Sequence, residues 1–280
     1  MSYQYRQAIC NEVFQDWDFA EAAKAIRIAG YTGIEIAPFT LAEDPWTVSQ
    51  SRRKEIRDII SSEGLQFVGL HWLMVSPKGL HVTTPDDALR ARSWQHIRNL
   101  IDLCADLGSN GILVFGSPLQ RTSTGGSTVA VATRRFIDGI ASVAGQAGER
   151  GVTLLIEALP VEQADVVTSL DEAARYVDEI GHPAVQTMFD VHNAVNETEP
   201  HEVLLERHFS KIRHVHVNEL NGAHCGTADY DFKPVLAALE RLEYKGWVSL
   251  EAFDFKPGGQ TIAHDSLRFL ESQITELQRK

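Results

Sequence analysis

Cysteine is scarce in this chain of 280 residues. Cys10, Cys104 and Cys225 are odd in number, far apart, and include no Cys-x-x-Cys pair. That excludes a disulfide framework and a thiolate zinc site, and it fits a reducing cytoplasm. Positive charge is also short. The 26 Lys and Arg residues face 38 Asp and Glu, a formal net charge of −12, which argues against a surface made for phosphate backbones or anionic lipid. Neither nucleic acid nor a membrane is an expected partner. No apolar run approaches the ~20 residues needed to cross a bilayer. The opening Met1-Ser-Tyr-Gln-Tyr-Arg-Gln lacks the apolar core of a secretory leader, so the expectation is a soluble, unexported protein. A Gly-rich phosphate turn is missing as well. The residues after the first apolar stretch, Cys10-Asn-Glu-Val-Phe, offer nothing to cradle a dinucleotide in an open, doubly wound sheet.

What the chain does have is a repeated alternation of short apolar runs and amphipathic helices. Strands are expected over 5–10, 33–37, 66–70, 111–115, 152–156, 185–189, 212–217 and 247–250. Helices are expected over 19–29, 48–63, 85–107, 127–150, 170–180, 201–209, 232–242 and 262–278. Asp18 is placed to cap the first helix, and Gly30, Gly64, Gly108 and Gly151 stop helices as C-terminal glycines do. The strands read as nearly continuous apolar runs, as a parallel sheet buried on both faces requires. With 44% hydrophobic residues and a length close to the roughly 250 of one barrel, the expectation is a single (β/α)₈ TIM-barrel domain over residues 1–280. The stretch 122–128, rich in Ser, Thr and Gly, reads as a loop.

In such a barrel the active site gathers at the C-terminal strand ends. There Leu154-Leu-Ile meets Glu157, Thr187-Met-Phe meets Asp190, and Val248-Ser-Leu meets Glu251. His214 and His216 share one face of the seventh strand, with His216 nearer its end. Three carboxylates crowded on one rim repel one another unless a positive charge sits among them, so Glu157, Asp190, His216 and Glu251 read as ligands of one divalent cation. Oxygen-rich ligation with one imidazole favours Mn²⁺, with Mg²⁺, Co²⁺ and Zn²⁺ as alternatives.

Five segments together resemble the xylose isomerase-like TIM-barrel superfamily, which includes ketose 3-epimerases, hydroxypyruvate isomerase, inosose dehydratase and endonuclease IV. They are Gly30-Tyr-Thr-Gly-Ile-Glu-Ile-Ala, Leu155-Ile-Glu-Ala-Leu-Pro, Met188-Phe-Asp-Val-His-Asn, His214-Val-His-Val-Asn-Glu and Ser249-Leu-Glu-Ala-Phe. The resemblance covers essentially the whole chain. It implies that Glu157, Asp190, His216 and Glu251 hold one metal, that Glu157 and Glu251 also move protons, and that the protein forms a homo-oligomer, a dimer or tetramer. The chain departs from the ketose 3-epimerase pattern in two places. Asn193 stands where those enzymes carry a histidine, with His192 one residue earlier, and Gly222 stands where they tend to carry an arginine. The DNA-repair branch is disfavoured, because Phe115-Gly116 and Asp229-Tyr-Asp231 replace metal-binding histidines expected there.

A cation on vicinal sugar oxygens would acidify the C–H next to a carbonyl, and one carboxylate would remove the proton through an enediolate. Its return to the same carbon on the opposite face gives epimerisation, return to the neighbouring carbon gives aldose–ketose isomerisation, and loss of a β-substituent gives dehydration or elimination. A non-catalytic sugar-binding or scaffold barrel is the reading from a different class. Substrate-binding candidates are His71, Trp72 and Glu35 near strand ends, Glu162 and Gln163 after the fifth strand, His192 and Asn193 after the sixth, and His224 after the seventh. Trp46 is a second candidate for an apolar wall. Lys256 with Gly258-Gly259 is a thin phosphate signal, so the expected substrate is a non-phosphorylated keto sugar. Asp231 reads as a helix N-cap.

Overall fold

The computed structural model describes residues 4–279. Eight parallel strands close into one barrel in sequence order: β1 Arg6–Cys10, β2 Gly33–Ile36, β3 Gln66–Leu70, β4 Ile112–Phe115, β5 Thr153–Ile156, β6 Val185–Asp190, β7 Ile212–Val217 and β8 Trp247–Leu250. The helices are α1 Phe19–Ala29, α2 Gln50–Ser62, α3 Asp87–Leu107, α4 Pro118–Arg121, α5 Val129–Glu149, α6 Leu170–Ile180, α7 His201–His208, α8 Lys233–Arg241 and α9 Gly259–Gln278. The (β/α)₈ barrel expected from the sequence is the observed fold. Among the described residues no helix is long and apolar enough to cross a membrane.

Capping side chains set the helix starts. Asp18 accepts from the Ala20 and Glu21 amides, and Ser49, Asp86, Thr128 and Ser169 each accept from an amide three residues on. Asp231 accepts from the Lys233 amide at 3.1 Å, at the start of α8. The main core lies between sheet and helices. A second, smaller cluster of Ala8, Val68, Ile112, Val114, Leu155 and Met188 fills the lower barrel interior against Trp247. Side chains alternate along a strand, so residues two further along point inward at the next level up. That step runs from Leu155 to Glu157, Met188 to Asp190, His214 to His216 and Ser249 to Glu251. The parallel register sets Asp190 beside His216 and His216 beside Ser249.

Candidate metal centre and active site

Glu157, Asp190, His216 and Glu251 each bring one ligand atom into a group whose members all lie within 4.8 Å of one another. That is little more than twice the ~2.1 Å from a divalent ion to an oxygen or nitrogen ligand. His216 Nδ1 is 3.1 Å from Glu251 Oε2, 3.4 Å from Asp190 Oδ2 and 4.0 Å from Glu157 Oε1. His216 Nδ1 and Asp190 Oδ2 are buried without a hydrogen bond. Buried polar atoms are nearly always paired, so this donor set fits a cation.

Neighbouring side chains orient these candidate ligands. Asn193 donates from Nδ2 to Glu157 Oε1 at 3.0 Å, and its backbone amide donates to Asp190 Oδ1 at 2.9 Å. Trp72 Nε1 donates to Glu251 Oε1 at 2.7 Å, which leaves Oε2 turned toward the centre. Trp72 holds φ at 50°, a left-handed conformation that is costly for a bulky residue and that clusters at functional sites. Gly116, just past β4, makes room for Glu157: a Cβ there would collide with its Oε2.

Behind His216, Glu35 is fully buried with its oxygens 3.2 Å from His216 Nε2 and 2.8 Å from His214 Nε2. A carboxylate there can only accept, so both imidazoles donate from Nε2 and His216 presents Nδ1 to the carboxylates. Burial alone would raise Glu35, but His214 and His216 hold it well below the usual carboxylate range. In the metal-free chain burial, then Asp190 and Glu251, push Glu157 up to about 8. Burial also raises Glu251. Asp190 is lowered, because the adjacent His216 outweighs its burial. Burial would depress His216, yet Glu35 and Glu251 raise it well above the ordinary imidazole value. Without a cation, protons do the neutralising.

A cavity of about 430 Å³ opens over this group, with Glu157 and Glu251 in its wall. Trp72, Gln163, His192 and Asn193 line it as well, so these sequence candidates sit where a substrate would. His192 Nδ1 is 2.7 Å from the Leu220 carbonyl and therefore donates to it, and Nε2 accepts from Gln163 Nε2 at 3.1 Å.

The profile of the xylose isomerase-like TIM barrel family matches residues 23–273. The chain belongs to that family. Among its relatives is the L-ribulose 3-epimerase of Methylomonas sp. (strain DH-1), 24% identical over 249 residues, or 85% of this chain and 80% of the relative. An inosose dehydratase of Erwinia tasmaniensis is 22% identical over 276 residues, or 86% of this chain and 84% of the relative. The crystal structure of 3-keto-D-glucoside 4-epimerase from E. coli superposes with a TM-score of 0.83 at 18% identity, covering 96% of this chain and all of the other. At that identity the likeness speaks to the fold.

Within this xylose isomerase-like barrel, the substrate-binding candidates His71, Glu35, Glu162 and His224 fall outside the cavity lining, as do Trp46 and Lys256. His71 is fully buried lower in the barrel, with Nε2 2.7 Å from Glu12 Oε2 and Nδ1 3.7 Å from Glu35. Burial would lower it, but Cys10 and Glu12 raise it well above the ordinary value, so it is an internal ion-pair partner. Glu35 is likewise too deep to reach a substrate. Glu162 is exposed on the loop and accepts from Asn196 Nδ2 at 3.3 Å. His224 is buried within the β7 loop. Trp46 lies 52% exposed beside Arg53 and Asp106, away from the cavity, and Lys256 is also outside it.

Sequence reasoning missed Glu12, Asn218 and Arg121. Glu12 and Asn218 continue the inward alternation beyond β1 and β7, and Asn218 Oδ1 accepts from the His192 amide at 2.8 Å. Arg121, fully buried, donates to the carbonyls of Phe115 at 2.9 Å, Glu157 at 2.8 Å and Val167 at 3.1 Å. It ties the ends of β4 and β5 together beneath Glu157, and no motif marks it.

Proposed function

We propose that the protein is a divalent-metal-dependent sugar isomerase or epimerase acting on a non-phosphorylated keto sugar, with Glu157 and Glu251 as acid and base. The observation that carries this reading is the convergence of Glu157, Asp190, His216 and Glu251 within 4.8 Å, with the two glutamates also lining the cavity. The sugar epimerases among its relatives support it. Mn²⁺ is the expected ion, and when bound it would polarise the substrate carbonyl and make the neighbouring C–H acidic. Glu157, steadied by Asn193, and Glu251, steadied by Trp72, rise from strands well apart around the rim. One removes the proton and the other returns it. Gln163 and Asn193 stand beside the carboxylates as hydrogen-bonding groups for sugar hydroxyls, and Lys78 also lines the cavity. One barrel spans the chain in this reading, in a cytoplasmic setting that suits its three free, buried cysteines, and the protein assembles as a dimer or tetramer.

The test is solvent exchange. Mn²⁺-loaded protein in D₂O should wash deuterium into a ketose next to its carbonyl, and Glu157→Gln and Glu251→Gln should each abolish that exchange. Full exchange in either variant would overturn the assignment. The inosose dehydratase relative favours one second reading, loss of water from a keto sugar or inosose. Product mass separates the two.

A further inference from the structure

Besides the carboxylate floor, two sets of polar side chains face the cavity. Gln163, His192 and Asn193 are already tied, the first two to each other and the third to Glu157. Lys78, Ser117, Gln120 and Asn221 make up the second set. Lys78 is the one Lys or Arg in the described wall, and no hydrogen bond or ion pair among the described residues engages its ammonium. The Ser117 hydroxyl is buried without a partner, on a residue held at φ 51°. Asn221 accepts from the Ala223 amide through Oδ1 at 3.0 Å, which leaves its Nδ2 to donate.

The backbone that carries Lys78 is fastened just beyond it. The Gly79 carbonyl accepts from Arg92 Nη2 at 2.9 Å, the His81 amide donates to Ser93 Oγ at 2.8 Å, and the Val82 amide donates to the Gln120 carbonyl at 2.8 Å. That last bond ties the segment after β3 to the segment after β4, so Lys78 shares one side of the mouth with Ser117 and Gln120. Asn221 comes from the segment after β7. Lys78 also borders a second cavity, with Asp44, Arg92 and His96, and no described residue pairs with it there either. Lys78 is exposed and Gln120 half-buried, whereas Glu157 and Glu251 are buried and mark the floor.

A floor of carboxylates repels an anion, and an unpaired ammonium at the mouth attracts one. A sugar hydroxyl gains little from an ammonium that water already solvates, whereas a carboxylate gains charge-assisted hydrogen bonds about twice as strong as neutral ones. We propose that the side of the mouth formed by Lys78, Ser117 and Gln120 binds a carboxylate on the far end of the substrate. The substrate class is then keto sugar acids, with the carbonyl end over Glu157 and Glu251 and the acid on Lys78. A single ammonium with no arginine beside it matches the one charge of a carboxylate better than the double charge of a phosphate. Opposite charges at the two ends of the cavity give direction to a chain whose hydroxyls look alike from either end, and so decide which carbon lies above the glutamates. This rests on the sugar-binding reading above for the carbonyl end only.

D-fructose, D-fructuronate and D-fructose 6-phosphate share a ketone and differ only in the group at the far end, so they test the subsite directly. Deuterium exchange by Mn²⁺-loaded protein in D₂O gives kcat and KM for each, and calorimetry on metal-free protein gives affinities without turnover. The acid should be preferred to the neutral sugar about tenfold, in KM more than in kcat. Lys78→Gln should bring that ratio toward one, Lys78→Arg should keep most of it, and added salt should shrink it. Equal values for acid and neutral sugar overturn the subsite. So does a preference that survives Lys78→Gln, which would come from the carboxylate on the metal ion, and so does a stronger preference for the phosphate ester. Lys78-dependent binding of the acid without exchange on any of the three sugars supports the subsite and sinks the proton-transfer reading. Exchange on D-fructose alone does the reverse.

Discussion

Glu157→Gln should stabilise the metal-free protein while weakening the proposed metal site. Gln keeps the shape of the side chain and an oxygen for Asn193 Nδ2, now 3.0 Å from Glu157 Oε1, but removes a charge crowded by Asp190 and Glu251. Burial and those two carboxylates push Glu157 from 4.5 to about 8, a span of 8 − 4.5 = 3.5 pH units. At about 1.4 kcal/mol per unit, ionisation costs the folded metal-free chain up to about 5 kcal/mol above pH 8. Because the three carboxylates titrate as a group, Asp190 and Glu251 take up part of that cost by binding protons themselves, and the cost relieved at position 157 is on the order of 3 kcal/mol. Because the folded state holds this proton more tightly than the unfolded state, stability falls as pH rises from about 4.5 to about 8, and the penalty is absent below that window. For a chain of this size about 3 kcal/mol corresponds to roughly 6 °C in Tm.

Calorimetry after exhaustive chelation is the assay, at pH 5.5 and pH 8. The variant should melt above the wild type at pH 8 by roughly 6 °C, with a smaller gap at pH 5.5. Adding Mn²⁺ should reverse the order, since the wild type gains about 4 kcal/mol when the ion is a thousandfold above Kd and the variant gains less. A metal-free variant that melts below the wild type at pH 8, or a gap that does not widen with pH, would refute the crowding argument.

Two further perturbations probe what holds the ligands. Glu35→Gln keeps one acceptor oxygen but turns an amide N–H₂ against one of the imidazole N–H groups that now donate to Glu35, so chelator competition should read a metal Kd raised about 10- to 100-fold; an unchanged Kd would remove Glu35 from the site. Arg121→Lys cannot reach the three carbonyls that the guanidinium spans, and urea unfolding should show a loss of about 3 kcal/mol. A loss below about 1 kcal/mol, the worth of one ordinary hydrogen bond, would mean that this clamp is dispensable.

The barrel was legible because the strands are short apolar runs and α1, α2, α3, α5 and α6 each begin at a capping side chain. Where boundaries moved, the cause is local. The helix expected over 85–107 starts at Asp87 because Asp86 caps it, accepting from the Leu89 amide, and the sixth strand runs one residue further to include Asp190. Alternation told the face of His216, strand ends marked Glu157, Asp190 and Glu251, and the structure brings the four together. Alternation does not tell depth. Glu35 and His71 share the inward face but lie lower, where only other side chains reach them. Followed one step beyond β1 and β7, the same alternation would have found Glu12 and Asn218. Arg121 was illegible because its partners are backbone carbonyls, which leave no trace in residue type.

The upper half of the barrel interior runs against the rule that a core is apolar. Above the layer of Ala8, Val68, Leu155 and Met188 stand Cys10, Glu12, Glu35, His71, His214 and Ser249, all fully buried. Such groups destabilise a fold unless they satisfy one another. Much of this network does, since Glu12 meets His71 and Glu35 meets both His214 and His216. What it leaves over includes His216 Nδ1 and Asp190 Oδ2, members of the group that converges within 4.8 Å. The polar layer thus fixes His216 from below and leaves its open nitrogen among three carboxylates. An ion bound there would supply the missing partners to both atoms at once, so part of its binding free energy becomes folding free energy. The metal-free protein is then the less stable state, and the polarity that weakens the core is the same polarity that orients the ligands.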